Sequence, residues 1–100
     1  MAPRLIWSRR ATSELQEIAA YIAKDAPNYS EIVVRRFLER GKLLLDQPQQ
    51  GRRLPEYGGL DEMREVFVHR WRMIYEVTPD TVTILAILHG ARLIENAPPL

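Results

Sequence analysis

Residues 63–89 read MREVFVHRWRMIYEVTPDTVTILAILH, and their pattern decides the fold. Residues 63–68 and 71–77 are short strand-like runs rich in β-branched and aromatic side chains, and 81–88 is almost continuously apolar, which predicts three strands. His69-Arg70 and Thr78-Pro79-Asp80 are the only residues between them. Connections this short make the strands antiparallel neighbours in a meander. In the middle strand Trp71, Met73, Tyr75 and Val77 share one face, while Arg72, Ile74 and Glu76 form a wetter one. In the last strand both alternating sets, Val82, Ile84, Ala86, Leu88 and Thr83, Leu85, Ile87, are mostly apolar, as in a central strand covered on both sides.

Upstream, residues 4–7 follow Pro3 as a short strand, and Ser8 is placed to cap a helix. Ala11, Leu15, Ile18, Ala19 and Ile22 make one apolar stripe on that helix, which Pro27 is expected to end. Asn28 with Glu31 has the spacing of a capping box for a second helix, with the stripe Val34, Phe37, Leu38, Gly41, Leu44 and Leu45. Gly41 costs about 1 kcal/mol in a helix interior relative to alanine, and close packing against the first helix would offset this. Two helices so briefly joined fold back on one another. Residues 47–61, with Pro48, Gly51, Pro55, Gly58 and Gly59, lack a period and form a long loop, with Leu54 and Tyr57 placed to pin it to the body. The expectation is a single α+β domain over residues 1–100, ordered β-α-α-β-β-β, with the helical hairpin packed on a small antiparallel sheet.

The 100 residues have room for one modest core, and the net charge of +1 creates no global field to attract nucleic acid. Cysteine is absent, which removes thiol chemistry and cysteine-bound zinc, and two histidines are a poor basis for a metal site. No cofactor or metal is expected. No stretch nears the roughly 20 apolar residues that span a bilayer, and the start lacks a secretory h-region, so the protein reads as cytoplasmic with no membrane partner.

Common hydrolase, nucleotide and metal signatures do not occur. Arginines remain. Arg64 shares a strand face with Val66 and Val68, and its permanent charge must find partners, either an acid such as Glu76 or a ligand. His89, before Gly90, is placed either to cap a backbone group or to act as a general acid or base. Tyr75 reads as a core residue with its hydroxyl bonded, and His69 as a turn residue. The pairs Arg9-Arg10, Arg35-Arg36 and Arg52-Arg53 read as solvated surface. Arg9 and Arg10 are unusual in a first helical turn, where the macrodipole disfavours cations, so a basic surface for an acidic partner is considered there and at Arg52 and Arg53.

Certain landmarks recur together: Trp7-Ser8, Ala11, Glu14-Leu15, Ile18, Tyr21-Ile22, Leu44 to Pro48, Gly51-Arg52, Met63-Arg64-Glu65-Val66, the run from Arg72 to Val77, and Ile84 through Leu88-His89-Gly90-Ala91-Arg92. In this order and spacing the chain resembles the ParE branch of the RelE/ParE superfamily of bacterial type II toxins, over nearly its whole length. The resemblance implies a toxin neutralised by a ParD-like ribbon-helix-helix antitoxin, which would supply any DNA contact, and implies DNA gyrase as the target. Such a toxin inhibits a topoisomerase by binding, with no active site of its own. The alternative is a ribosome-dependent mRNA endonuclease of the RelE type, for which Arg64, Arg72, His89 and Arg92 would be the catalytic candidates. Here the loop carries Arg52 and Arg53 where a lysine set is usual, and Gly90-Ala91 stands where a nuclease relative carries a tyrosine. A third reading is a partner that only binds its antitoxin. An antitoxin segment that orders on binding needs exposed apolar area, with Leu54, Tyr57, Ile94 and Leu100 as the candidates.

Overall fold

The computed structural model describes residues 3–54 and 62–90. In chain order these form β1 (Arg4–Trp7), α1 (Arg9–Ala23), α2 (Pro27–Asp46), β2 (Arg52–Arg53), β3 (Met63–Val68), β4 (Trp71–Val77) and β5 (Thr81–His89). One five-stranded sheet has the order β1-β5-β4-β3-β2. The meander is present: β3 with β4, and β4 with β5, are antiparallel.

The sheet is nevertheless mixed rather than wholly antiparallel. β1 runs parallel to β5, from Arg4 opposite Thr81 to Trp7 opposite Ile84. This sense lets the chain turn from Trp7 directly into α1 across the end of its pairing with β5. The loop also contains β2, with Arg52 opposite Glu65 and Arg53 opposite Arg64. Two paired residues are too few to show a period.

Both helices lay one face on the sheet. Ser8 caps α1 as expected, its Oγ accepting from the Ala11 N–H at 2.9 Å. α1 closes at Ala23, ahead of Pro27, and Pro27 instead opens α2 at its first turn, where the missing N–H is harmless. Asn28 therefore lies inside the helix, and the expected capping box is not used. Val33, Phe37, Gly41 and Leu44 are the buried stripe of α2, whereas Leu38 is exposed. Ser30, also buried, ties the hairpin by donating to the Ala19 carbonyl at 2.7 Å. A Cβ on Gly41 would stand 3.2 Å from Trp7 Cζ2 and 3.5 Å from Leu5 Cδ2. The glycine thus seats α2 on β1, not on α1.

The main core lies between helices and sheet, around Phe37, Leu44, Val66, Met73, Tyr75, Val82 and Ile84. On the opposite sheet face Leu54, Ile74 and Leu88, with Met63 and Leu85, form a second cluster. A β-bulge joins the two patterns. Ile74 lies opposite Ala86 but Tyr75 lies opposite Ile84, so Leu85 is an extra residue in β5. Val82, Ile84 and Ile87 consequently belong to the helix-side core, and Leu85 and Leu88 to the other cluster. Strict alternation, which grouped Val82, Ile84, Ala86 and Leu88, fails at that point.

Candidate functional site

Arg64 and Tyr75 are cross-strand partners on the helix side of the sheet. Both close on the chain leaving α2. The buried Tyr75 hydroxyl accepts from the Gly51 N–H at 2.9 Å and donates to the Pro48 carbonyl at 2.7 Å. Arg64 Nη1 donates to the Gly51 carbonyl at 2.9 Å and to the Gln49 carbonyl at 3.4 Å. Gly51 is required for this approach: a Cβ there would lie 2.5 Å from the Glu65 carbonyl oxygen and 2.6 Å from the Tyr75 hydroxyl. Burial pushes the Tyr75 pKa above its ordinary value, outweighing the Gly51 hydrogen bond and the charges of Arg64 and Arg40, which lower it. The hydroxyl therefore keeps the proton it donates to Pro48. Arg64 binds loop carbonyls here, and the pairing with Glu76 considered above is replaced by this clasp.

Arg72 is on the other face of the sheet and is buried, which corrects the expectation of a wetter face there. Its Nε donates to Glu65 Oε1 at 2.6 Å and its Nη2 to Glu65 Oε2 at 3.4 Å. Arg52 Nε donates to the same carboxylate, Oε2, at 2.8 Å while its guanidinium lies 5.9 Å from the Phe67 ring centroid. Two guanidinium groups around one buried carboxylate meet the condition under which such a charge is tolerated. Glu65 was not singled out in the sequence. The signal was available: it is the acid in β3 directly beside two arginine-bearing strands.

Ser8, Arg10 and Glu14 serve the bulge. Beyond Ile84, β5 has lost β1 as a neighbour, and these residues take over its backbone groups. The Ser8 N–H donates to the Ile84 carbonyl at 2.9 Å, Ser8 Oγ to the Leu85 carbonyl at 2.9 Å, and the Ile87 N–H to Glu14 Oε1 at 2.9 Å. Arg10 Nε sits 3.4 Å from the other Glu14 oxygen. Arg10 in the first turn is thus accounted for by its acid one turn on. Arg9 and Arg53 are exposed, as a basic surface requires, and Arg52 is exposed but engaged with Glu65.

His89 lies opposite Trp71 and borders a cleft of about 970 Å³ between α1 and the β3–β4 turn. Arg64, Tyr75 and His89 share the helix side, but four positions of β4 separate Tyr75 from Trp71, and Arg72 points the opposite way. The four residues do not converge on one cavity. Arg92 lies outside the described residues, as do Tyr57, Ile94 and Leu100. Leu54 is fully buried with Ile74 and Leu88, so it is a core residue and not an exposed contact. Among the described residues no group of three or more metal-ligating side chains occurs, and no described helix is long and apolar enough to cross a membrane.

The family described as ParE toxin of type II toxin-antitoxin system, parDE, matches residues 5–94. The chain belongs to the ParE toxin family. Its fold agrees. A chain of the chromosomal ParDE toxin-antitoxin system from P. aeruginosa superposes with a TM-score of 0.73 at 21% identity, covering 88% of this chain and 96% of that one. A chain of the archaeal RelE-RelB complex from Pyrococcus horikoshii OT3 gives 0.62 at 19% identity, covering 93% and 100%. No curated protein sequence matches. The ParE landmarks now have physical roles: Ser8 and Glu14 hold the β5 bulge, Gly51 admits the Tyr75 hydroxyl, and Arg64 clasps the loop.

Proposed function

We propose that this ParE-family toxin arrests growth by binding and poisoning DNA gyrase, and that a ParD-like ribbon-helix-helix antitoxin neutralises it. The observation that carries the reading, beyond the family, is the dispersal of the candidate catalytic residues. Arg72 is buried against Glu65 on one sheet face while Arg64 and His89 lie on the other, at different ends of β4. An mRNA endonuclease needs its charge clamp, acid and base around one scissile phosphate. Inhibition through a surface needs no such convergence. For the antitoxin, α2 offers Ile32, Leu38 and Leu43, each more than 40% exposed, as apolar area to offset the ordering of a partner segment. On this reading the antitoxin lies on the exposed face of α2, and the buried Leu54 takes no part in the contact.

Purified toxin is expected to inhibit gyrase supercoiling, and its expression without antitoxin to halt growth with a DNA-damage response. Unchanged supercoiling at excess toxin removes the gyrase assignment. Cleaved message during arrest would restore the endonuclease.

A further inference from the structure

The cleft bordered by His89 is not used by that reading. Ile18, Ile22 and Trp71 give it an apolar floor, and Tyr21, Tyr29, His69, Arg70 and Glu17 line it. Its size is at the upper end of ordinary ligand sites.

His69 is the unusual residue. It is the first residue of the two-residue β3–β4 turn and has φ 53°, a left-handed backbone that any residue with a Cβ adopts at a cost and that glycine or asparagine would normally fill. The ring is held on three sides. Tyr29 stands 6.1 Å from it at 71° and Trp71 6.5 Å at 83°. Arg36 Nη1 is 3.0 Å from Nε2. A guanidinium only donates, so Nε2 accepts, and Nδ1 of the neutral ring carries the proton. That N–H has no acceptor among the described residues. The two-residue turn itself calls for this φ at its first position; what singles out the exposed His69 is a ring set between two aromatics and an arginine at the edge of the cleft, with its Nδ1–H open to solvent or to a ligand.

The cleft's charges say which kind. Arg70 is exposed and makes no ion pair with the described residues, and Arg36 lies just behind His69, so the turn side is cationic. Among the described residues that line it Glu17 is the one acid, on the α1 side. Tyr21, 74% exposed, and Tyr29, 46% exposed, present aromatic area between these poles. Aromatic platforms beside an arginine bind bases through their faces and phosphates through charge.

We propose that this cleft holds one nucleotide of a single-stranded nucleic acid, its base against Tyr21, Tyr29 and His69 and its phosphate on Arg70. Glu17 accepts hydrogen bonds only, so the slot favours the exocyclic amino group of a base over thymine or uracil, whose one edge donor, N3–H, lies between two carbonyl oxygens that the carboxylate repels. The site is independent of gyrase inhibition, and its failure leaves the supercoiling assay untouched.

The test is titration of the full chain with the octamers dC8, rC8 and dT8, followed at low and moderate salt by tryptophan emission, of which the ligand-dependent part comes from Trp71 in the cleft and not from the distant Trp7. Saturable quenching by dC8, rC8 or both is expected, weaker with dT8. Tyr21→Ala should weaken binding about 10-fold, within the range for loss of one stacked base. Arg70→Ala should lower the salt slope by about 0.7, the value for one phosphate on a single strand. His69→Gly relieves the backbone and should melt no lower than the parent while binding less well, which a purely structural histidine would not do. No quenching by any octamer at millimolar concentration overturns the site, as would binding that survives both Tyr21→Ala and Arg70→Ala. Equal affinity for dC8 and dT8 would overturn the role given to Glu17.

Discussion

Tyr75→Phe isolates the loop clasp, because it keeps the buried ring and removes only the hydroxyl. Two partners are then left: the Gly51 N–H, donated at 2.9 Å, and the Pro48 carbonyl, reached at 2.7 Å. Gly51 is buried, and a buried donor left without an acceptor costs about 1–3 kcal/mol. Pro48 is only partly buried, so water can replace most of its lost bond. The expected loss is about 2 kcal/mol, which for a domain of this size lowers Tm by roughly 8–16 °C. Urea melts followed by far-UV circular dichroism read the free energy, with the slope m unchanged if only the native state is affected. Amide exchange at Gly51 reads the bond itself and should accelerate in step. A loss below about 0.5 kcal/mol, with Gly51 exchange unaltered, would refute the clasp. Arg64 would then again need a different explanation, and a functional one would be the first to consider.

Arg72→Met should cost about 3–5 kcal/mol by leaving the buried Glu65 with only Arg52 among the described residues, whereas adding Glu65→Leu should recover most of it; a double-mutant cycle on stability and growth arrest checks this, and a stable but inactive double variant would give the Arg72–Glu65 pair a function. Glu14→Ala should destabilise by about 1–3 kcal/mol through the Ile87 N–H it leaves unmatched, read by denaturant melts and by faster exchange at Ile87. Because Tyr75 has its pKa raised by burial, the folded state holds that proton longer than the unfolded state. Its contribution is complete below about pH 10 and is lost as pH rises through the folded value, so Tyr75→Phe should flatten the alkaline fall in stability.

Much of the architecture was readable because it follows from local periods. The stripe through Ala11 and Leu15 and the alternation through Met73 and Tyr75 needed no knowledge of distant residues. What escaped depends on partners far along the chain. The bulge at Leu85 exists because Ser8 and Glu14 satisfy it, and no window around Leu85 contains them. Arg72 looked solvated because its alternation class contains Glu76 and not Glu65, although Glu65 is the residue that neutralises it. Leu54 reads both as an anchor of the loop and as an exposed contact, because its segment is too short to show a face, and only the first holds. His69 looked like an ordinary turn residue, since a positive φ is not written in composition.

The pairing of β1 with β5 has a consequence for how the protein is made. Ser8 and Leu85, joined by a hydrogen bond, are 77 residues apart, so β1 must wait for β5 before it has a neighbour in the sheet. Long loop closure of this kind slows folding and comes late. Any chain that stops before Thr81 lacks β5, and with it the acceptor for β1 and one neighbour of the central β4. Until β5 has been made β1 stays unpaired, and an antitoxin made alongside the toxin has that interval in which to be present first.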